Sequence, residues 1–442
     1  MPDEPDDRVP EELRELLRRM MAGETGVDTG EIAKAMGLPG GAAGLDTLMS
    51  QLRGAAQRAD GTVDWSVATD NAIAAAGAAS TTPSDEDRSR SERAFTLAGL
   101  WVDEWSAFGA LTETPQAITR TRWIRATMPF WTELAQPVAF SIADALAEVF
   151  AKQAPPELLS ALGEGSAMLR TVCGTIFAAQ LGSIVGQLAT EVVSGGDVGI
   201  PLLPEQQAAL LPQNLAAFAE GLEVDDDQVA LYLAVRELAH ARLFRHARWL
   251  RLGLTSAVGD FAGDLGIDMD VVQQFAAEFD PSDPEALREA LSSGALIPPK
   301  SEAQLAALTR LETTLALVEG WVDVVTADAT TRLPRASAIA ETVRRRRATG
   351  GPAEQAFASL VGLELRPRRL REAAALWRAV TDAVGIEARD AVWSHPDLLP
   401  TPADIDDPAA FIARLRGERP DDDVDKALED LLRDEESGDP PV

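Results

Sequence analysis

The sequence predicts a mainly α-helical protein, a large helical body with little or no β-structure. Three observations carry this expectation. From Ser84 onward apolar residues recur at spacings of three and four, the period of a helix face. The runs break at Thr114-Pro115, Pro155-Pro156, Gly195-Gly196, Pro281 and Pro298-Pro299, residues that end helices rather than continue them. Alternating strand patterns are scarce, and 442 residues with 46% hydrophobic content supply ample material for a core.

In chain order, residues 1–84 read as an N-terminal appendage. ELRELLRRMM, GGAAGLDTLMSQLRGAAQRA and VDWSVATDNAIAAAG each have the pattern of a short helix, and STTPSDEDRSRSE reads as a linker with a helix start inside it. Residues 85–415 form the helical domain. Within it, residues 171–190 are uncharged and place Gly182 and Gly186 at the four-residue spacing used in helix pairing. Gln180, Ser183 and Gln187 dilute that stretch below a membrane-insertion signal, so it reads as a buried soluble helix. Residues 200–204 and 208–212 suit a short edge strand or turn, because their prolines exclude them from a sheet centre. Residues 416–442 read as an acidic disordered tail, with ten acids against Lys426 and Arg433 in its last 23 positions.

Charge and cysteine content exclude several classes of function. Lys plus Arg is 40 against 71 Asp plus Glu, and the net charge of −31 repels a nucleic-acid backbone. Cys173 stands alone, which rules out an internal disulfide and cysteine zinc knuckles and fits a reducing cytoplasm. MPDEPDDRV lacks the basic start and apolar stretch of a secretory signal, so a cytoplasmic protein without membrane association is expected. Neither a G-x-x-x-x-G-K-[ST] phosphate loop nor a G-x-S-x-G serine elbow occurs.

Chemistry is sought first on the helix predicted over residues 229–250, which carries two of the three histidines, His240 and His246; His395 lies in a turn before a proline. Arg236, Glu237 and His240 give the frame R-E-x-x-H. In a zinc hydrolase helix H-E-x-x-H, two imidazoles four apart face one metal and the Glu deprotonates a bound water. Here Glu237 and His240 occupy the base and second-ligand positions, while Arg236 has no lone pair to give a metal. His246 is a further candidate ligand, although six residues turn it about 120° from His240 on an unbroken helix. The helix over residues 304–329 aligns Glu312, Glu319 and Asp323 on one stripe, and buried acids need a metal or arginine partners. Glu319 is the candidate further ligand, with an arginine ion pair as the structural alternative.

Between Arg335 and Arg371, nine arginines face Glu341, Glu354 and Glu364. RRRRATGGPAEQAF and LELRPRRLREA suit an anion pocket built on Arg346, Arg347, Arg368 and Arg369 through bidentate guanidinium contacts. The alternative is neutralisation of carboxylates on neighbouring helices.

Taken in order, VDWSVATDNA, PLLPEQQAALLPQNLAAFAEGL, RELAHARLFRHARWL, RLETTLALVEGWVDVV, ETVRRRRATGGPAEQAFASLVGLELRPRRLREAAALW and WSHPDLLPTPADIDDP resemble an actinobacterial family of hydrolases classed as zincin-like metallopeptidases. A sister branch of that family is associated by name with deazaflavin coenzyme biosynthesis. The resemblance implies a zincin-like body, a zinc cofactor and attack of metal-activated water on an amide of a peptide or small-molecule substrate. It carries over Glu237 as base, His240 as ligand and Glu319 as further ligand, and the sequence departs from the zincin pattern at Arg236. Three functions follow: a divergent hydrolase, an inactive zincin-like scaffold in which Arg236 pairs with Glu319 or Asp323, and an anion or partner binder using residues 344–371.

Overall fold

The computed structural model describes residues 63–77, 80–153, 162–263, 300–348 and 369–417. The chain divides into Met1–Gly54 and Ala55–Val442, and every described residue belongs to the second unit. The first two appendage helices and the tail from residue 418 onward lie outside the described residues.

The protein is mainly helical. Among the described residues are twelve α-helices, α1 (Ser66–Ala76), α2 (Asp85–Trp105), α3 (Arg120–Gln153), α4 (Leu162–Ala189), α5 (Pro212–Ala219), α6 (Asp226–His246), α7 (Trp249–Gly263), α8 (Glu302–Ala329), α9 (Ala336–Ala348), α10 (Leu370–Ala391), α11 (Pro402–Asp406) and α12 (Pro408–Leu415). Their starts follow local chemistry. Ser84 and Asp87 close a reciprocal capping box on α2, as do Ser301 and Gln304 on α8, and Asp225 caps α6 by accepting from the Asp227 N–H.

Helix α6 is buried on every side from Val229 to His240 and again at Arg242 and Leu243, the environment of a helix with no polar face. It packs against α2 and α8, and α8 in turn packs against α10 and α7. A second core gathers α1, α3, α4 and α7 around Trp123, Trp131 and Phe261. Helix α8 joins the two, with Leu311 and Leu315 in one core and Trp321 and Val325 in the other.

The strand content is small. Gln116–Ala117 (β1) pairs in parallel with Ala209–Leu210 (β2), Gln116 opposite Ala209 and Ala117 opposite Leu210. On the other edge of β2, Ser194 forms an antiparallel bridge with Leu210. The strand expected within residues 208–212 is therefore β2, whereas residues 200–204 form no strand.

The helix VDWSVATDNAIAAAG, read in sequence as part of the appendage, is α1, and it packs along α4. The glycines at 182 and 186 explain the closeness. A Cβ on Gly182 would stand 2.3 Å from the Ala68 carbonyl oxygen, and one on Gly186 2.5 Å from that of Ala72. No described helix is long and apolar enough to cross a membrane.

Gly182→Ala and Gly186→Ala should each lower stability by about 1–3 kcal/mol, because backbone rather than a movable side chain blocks the methyl group. Calorimetric melting checks this, and unchanged transitions in both variants would show that α1 and α4 are not in backbone contact.

Candidate functional site

The R-E-x-x-H frame lies at the middle of α6, facing α8. Arg236 and His240 are one turn apart and both reach Glu319 of α8. The Arg236 Nη2 donates to Glu319 Oε2, and His240 Nε2 lies 2.9 Å from Glu319 Oε1. All three side chains are buried, Arg236 at 4% exposure and the others at 1% or less. Burial pulls the Arg236 pKa down, but the charge of Glu319, with Tyr232, Asp323 and Asp197, pushes it above its ordinary value. The guanidinium is therefore a permanent internal cation.

His240 is oriented at both nitrogens. Its Nδ1 lies 3.1 Å from the Arg236 carbonyl oxygen, an acceptor, so this nitrogen carries a proton. The Nε2 is directed at Glu319 Oε1, 2.9 Å away. Neither ring nitrogen is thus directed at an open position.

Glu237 points to a different partner set. Its Oε2 accepts from the Gly196 N–H at 2.7 Å and its Oε1 from the Ala209 N–H at 2.9 Å, with the Ser194 hydroxyl as a further hydrogen bond. Gly195 in turn donates to the Ala209 carbonyl at 2.9 Å, so the carboxylate ties together the two strand segments that flank it. Burial raises the Glu237 pKa to about 7, against the lowering effect of those hydrogen bonds.

The loop after Ser194 lies directly on this cluster. A Cβ on Gly196 would stand 2.8 Å from the His240 Cβ. At Gly199, whose φ of +84° already favours glycine, a Cβ would meet Glu319 Oε1 at 2.4 Å. Glycine backbone occupies the space over both side chains.

These residues do not fit a zinc ion. A catalytic zinc takes three protein ligands, each presenting a lone pair, and the frame offers His240 and Glu319, which are hydrogen-bonded to each other, with a cation beside them. No group of three His, Cys, Asp or Glu able to hold a metal occurs among the described residues. A cleft does open next to the cluster, lined by Gly195, Gly196, residues 200–207, Glu237, Ala241, Phe244, Arg245, Arg248 and Arg251. It reaches Glu237 but is not lined by His240 or Glu319.

Other candidates lie elsewhere. Helix α6 runs unbroken to His246, so the 120° rotation holds; the exposed ring stacks on Phe108 with centroids 4.4 Å apart, and it is not a partner in the cluster. His395 is exposed and accepts from the Asp397 N–H. Arg344 pairs with Asp323 at 3.0 Å, Arg346 with Asp197 at 3.4 Å and Arg369 with Asp406. Arg344, Arg346 and Arg369 thus each face a neighbouring acid; the Arg347 side chain and Arg368 lie outside the described residues. Sequence reasoning missed Ser194 and Gly199, and took Gly195-Gly196 only as a helix break. It also missed the buried Arg389–Asp390 pair, in which Asp390 Oδ1 accepts from Trp321 Nε1 at 2.8 Å.

Glu237→Gln replaces an acceptor oxygen by an NH2 group that opposes a donor, and should cost about 1–3 kcal/mol. The wild type should also show a pH dependence that the variant lacks. With a folded pKa near 7 against an ordinary 4.5, the protonated carboxyl contributes in full below pH 4.5, and that contribution, about 3 kcal/mol, is lost as pH rises through 7. The gap in melting temperature between wild type and variant should therefore narrow from pH 5 to pH 8; parallel profiles would contradict a titrating Glu237.

The sequence matches the zincin-like metallopeptidase family over residues 63–412. No curated protein matches the chain. Among solved structures, a protein from Chloroflexus aurantiacus, provisionally described as a hydrolase with a novel fold, superposes with a TM-score of 0.55 at 19% identity, over 80% of this chain and 99% of that one. At that identity the likeness speaks for the fold alone. The family match spans most of the chain and includes α6 with its R-E-x-x-H frame as well as α8 with Glu319, and on that extent the chain belongs to the zincin-like metallopeptidase family.

Proposed function

We propose that this chain is a non-hydrolytic member of its family, a zincin-like framework in which a guanidinium takes the position of the metal. The observation that carries the reading is the ion pair between Arg236, at the first-ligand position, and Glu319, the residue expected as a further ligand. Each part of a metal-activated-water mechanism has another occupation here. The base position, Glu237, has both carboxylate oxygens engaged by backbone N–H groups. The second-ligand position, His240, directs Nε2 at Glu319. A positive charge is still supplied to the carboxylate, but it is covalently attached and cannot polarise a carbonyl or activate water as a Lewis acid does.

The hydrolase reading requires lone pairs where Arg236 offers none. The reading as an anion binder through residues 344–371 has less support, since Arg344, Arg346 and Arg369 already face carboxylates. What remains is a rigid body that binds without cutting. Its cleft beside Glu237 is the surface on which such binding would act.

Untagged protein dialysed without chelator should contain far less than one zinc per chain by elemental analysis; near-stoichiometric zinc that disappears in Glu319→Ala would overturn the proposal. Arg236→Ala should cost about 3–5 kcal/mol, the penalty for removing the cationic partner of a buried carboxylate. Arg236→His should be destabilised in the absence of metal and recover melting temperature when zinc is added, because a shorter imidazole leaves a gap comparable to the ~2 Å Zn–N bond. The wild type should show no such zinc-dependent rise.

A further inference from the structure

We infer that residues 203–207 are a hinged flap at the cleft, which swings out to uncover Glu237 while α6 and α8 stay packed. The inference holds whether or not the site cuts a bond, because Arg236, His240 and Glu319 take no part in it. The flap is the tip of a closed loop. The Gly195 N–H donates to the Ala209 carbonyl at 2.9 Å and the Leu211 N–H to the Val193 carbonyl at 3.0 Å, and at the same neck Glu237 accepts from Gly196 and Ala209. Residues 196–208 therefore leave and re-enter the body at one point, the geometry of an Ω-loop.

Burial divides this loop into two parts. Ile200, Pro201 and Leu202 are buried and anchor the stem, as is Ala208 on the return, whereas residues 203–207 are all partly or fully exposed. Their backbone forms a turn closed by the Gln207 N–H on the Pro204 carbonyl at 3.2 Å, with Gln206 at φ +71° in the position where such a turn takes glycine. A glutamine is strained there, and its side chain offsets the strain by fastening the tip: Gln206 Oε1 accepts from the N–H and the hydroxyl of Thr112, each at 3.3 Å. A second latch joins Glu205 to Arg248 at 3.4 Å, with both side chains more than half exposed. The two latches are long and exposed to water, so each holds the tip weakly. They fasten it to separate elements, the segment after α2 and the corner between α6 and α7.

What the tip covers is Glu237. Leu203 Cδ1 and Glu237 Oε1 converge above Gly195, since a Cβ on that glycine would stand 2.1 Å from the first and 2.7 Å from the second. Glycine at 195 leaves the seat that the leucine occupies. The flap thus lays a methyl group beside the carboxylate and helps to keep it buried although it lines the cleft. Turning out between the anchors Leu202 and Ala208, the tip withdraws Leu203, widens the cleft and exposes the carboxylate at its inner end.

Carboxyl labelling of the full-length protein with a carbodiimide and glycine ethyl ester tests this, with Glu237 and Glu319 followed by peptide mass spectrometry. Both side chains are 1% exposed, but Glu319 does not line the cleft and so reports loosening of the body. Each residue is compared with itself between variants, which removes differences in intrinsic reactivity. Glu205→Arg, which sets two guanidinium groups against each other, should raise Glu237 labelling about three- to fivefold, and Glu205→Arg/Arg248→Glu should return it to the wild-type rate. Gln206→Gly, which removes the Thr112 latch and suits the turn, should raise it by a similar factor. Glu319 labelling should stay constant in all three. Unchanged Glu237 labelling in Glu205→Arg and Gln206→Gly would show that the latches hold nothing and would overturn the flap. A parallel rise at Glu319 would mean that the body loosens as a whole, which also overturns it.

Discussion

A buried guanidinium that cannot lose its proton is the constraint around which the rest of the structure is arranged. Arg236 is 4% exposed, and its charge has to be met inside the protein. Glu319 meets it, and the pairing fixes how far along and around α6 the helix α8 can sit. A hydrophobic contact would tolerate a small slide; a two-point contact in which Glu319 takes Arg236 on one oxygen and His240 on the other tolerates almost none. The constraint passes onward through Gly320, where a Cβ would stand 2.7 Å from the Ala374 nitrogen of α10. One ion pair thereby sets the depth at which three helices pack.

Glu237 extends the same logic to the backbone. Strands of two residues cannot hold themselves together, because too few hydrogen bonds oppose the entropy of ordering them. Here the carboxylate accepts from both flanking segments, and Asn214 completes the arrangement by donating to the carbonyl oxygens of Ala189 and Val192 near the end of α4. Peptide groups that would otherwise be buried without partners are satisfied by two side chains. This explains why an acid with a raised pKa is tolerated at the centre of α6: the cost of desolvating it is offset by the donors it organises.

Much of the helical framework was legible in the sequence because periodicity is a local signal. The three- and four-residue spacing places α6 and α8, and the pair Gly182 and Gly186 marks the helix contact that α1 fills. Half of the site was legible too. Four-residue spacing puts Arg236 and His240 on one face, and the need to balance a buried acid on α8 already offered an Arg236–Glu319 pair as one reading. The remainder was not legible, for a physical reason. Glu237 is held by the N–H groups of Gly196 and Ala209, and a backbone N–H has no residue identity to read. Those partners lie 41 and 28 positions away in sequence, and only the folded loop brings them near. The expectation of an appendage before residue 85 reflects the same limit, since α1 shows its role only through the groove that glycines open on α4.

The four positions at the site serve two incompatible designs. A metal centre needs ligands with unshared lone pairs, a base free to take a proton and an open coordination position. The arrangement in this chain has every corresponding group engaged: the guanidinium by Glu319, the imidazole at both nitrogens, and the acid by peptide N–H groups. On the proposed reading a site saturated in this way leaves no position for metal-activated water, and it has no dependence on metal supply either, because its cation is part of the chain. The geometry that would aim a nucleophile instead holds α6, α8 and the loop at residues 194–199 in fixed relation. The wall of the adjoining cleft is α6 itself, so on the proposed non-hydrolytic reading the contacts that fix α6 against α8 also fix that wall, and a preorganised wall favours retention of a ligand over its turnover.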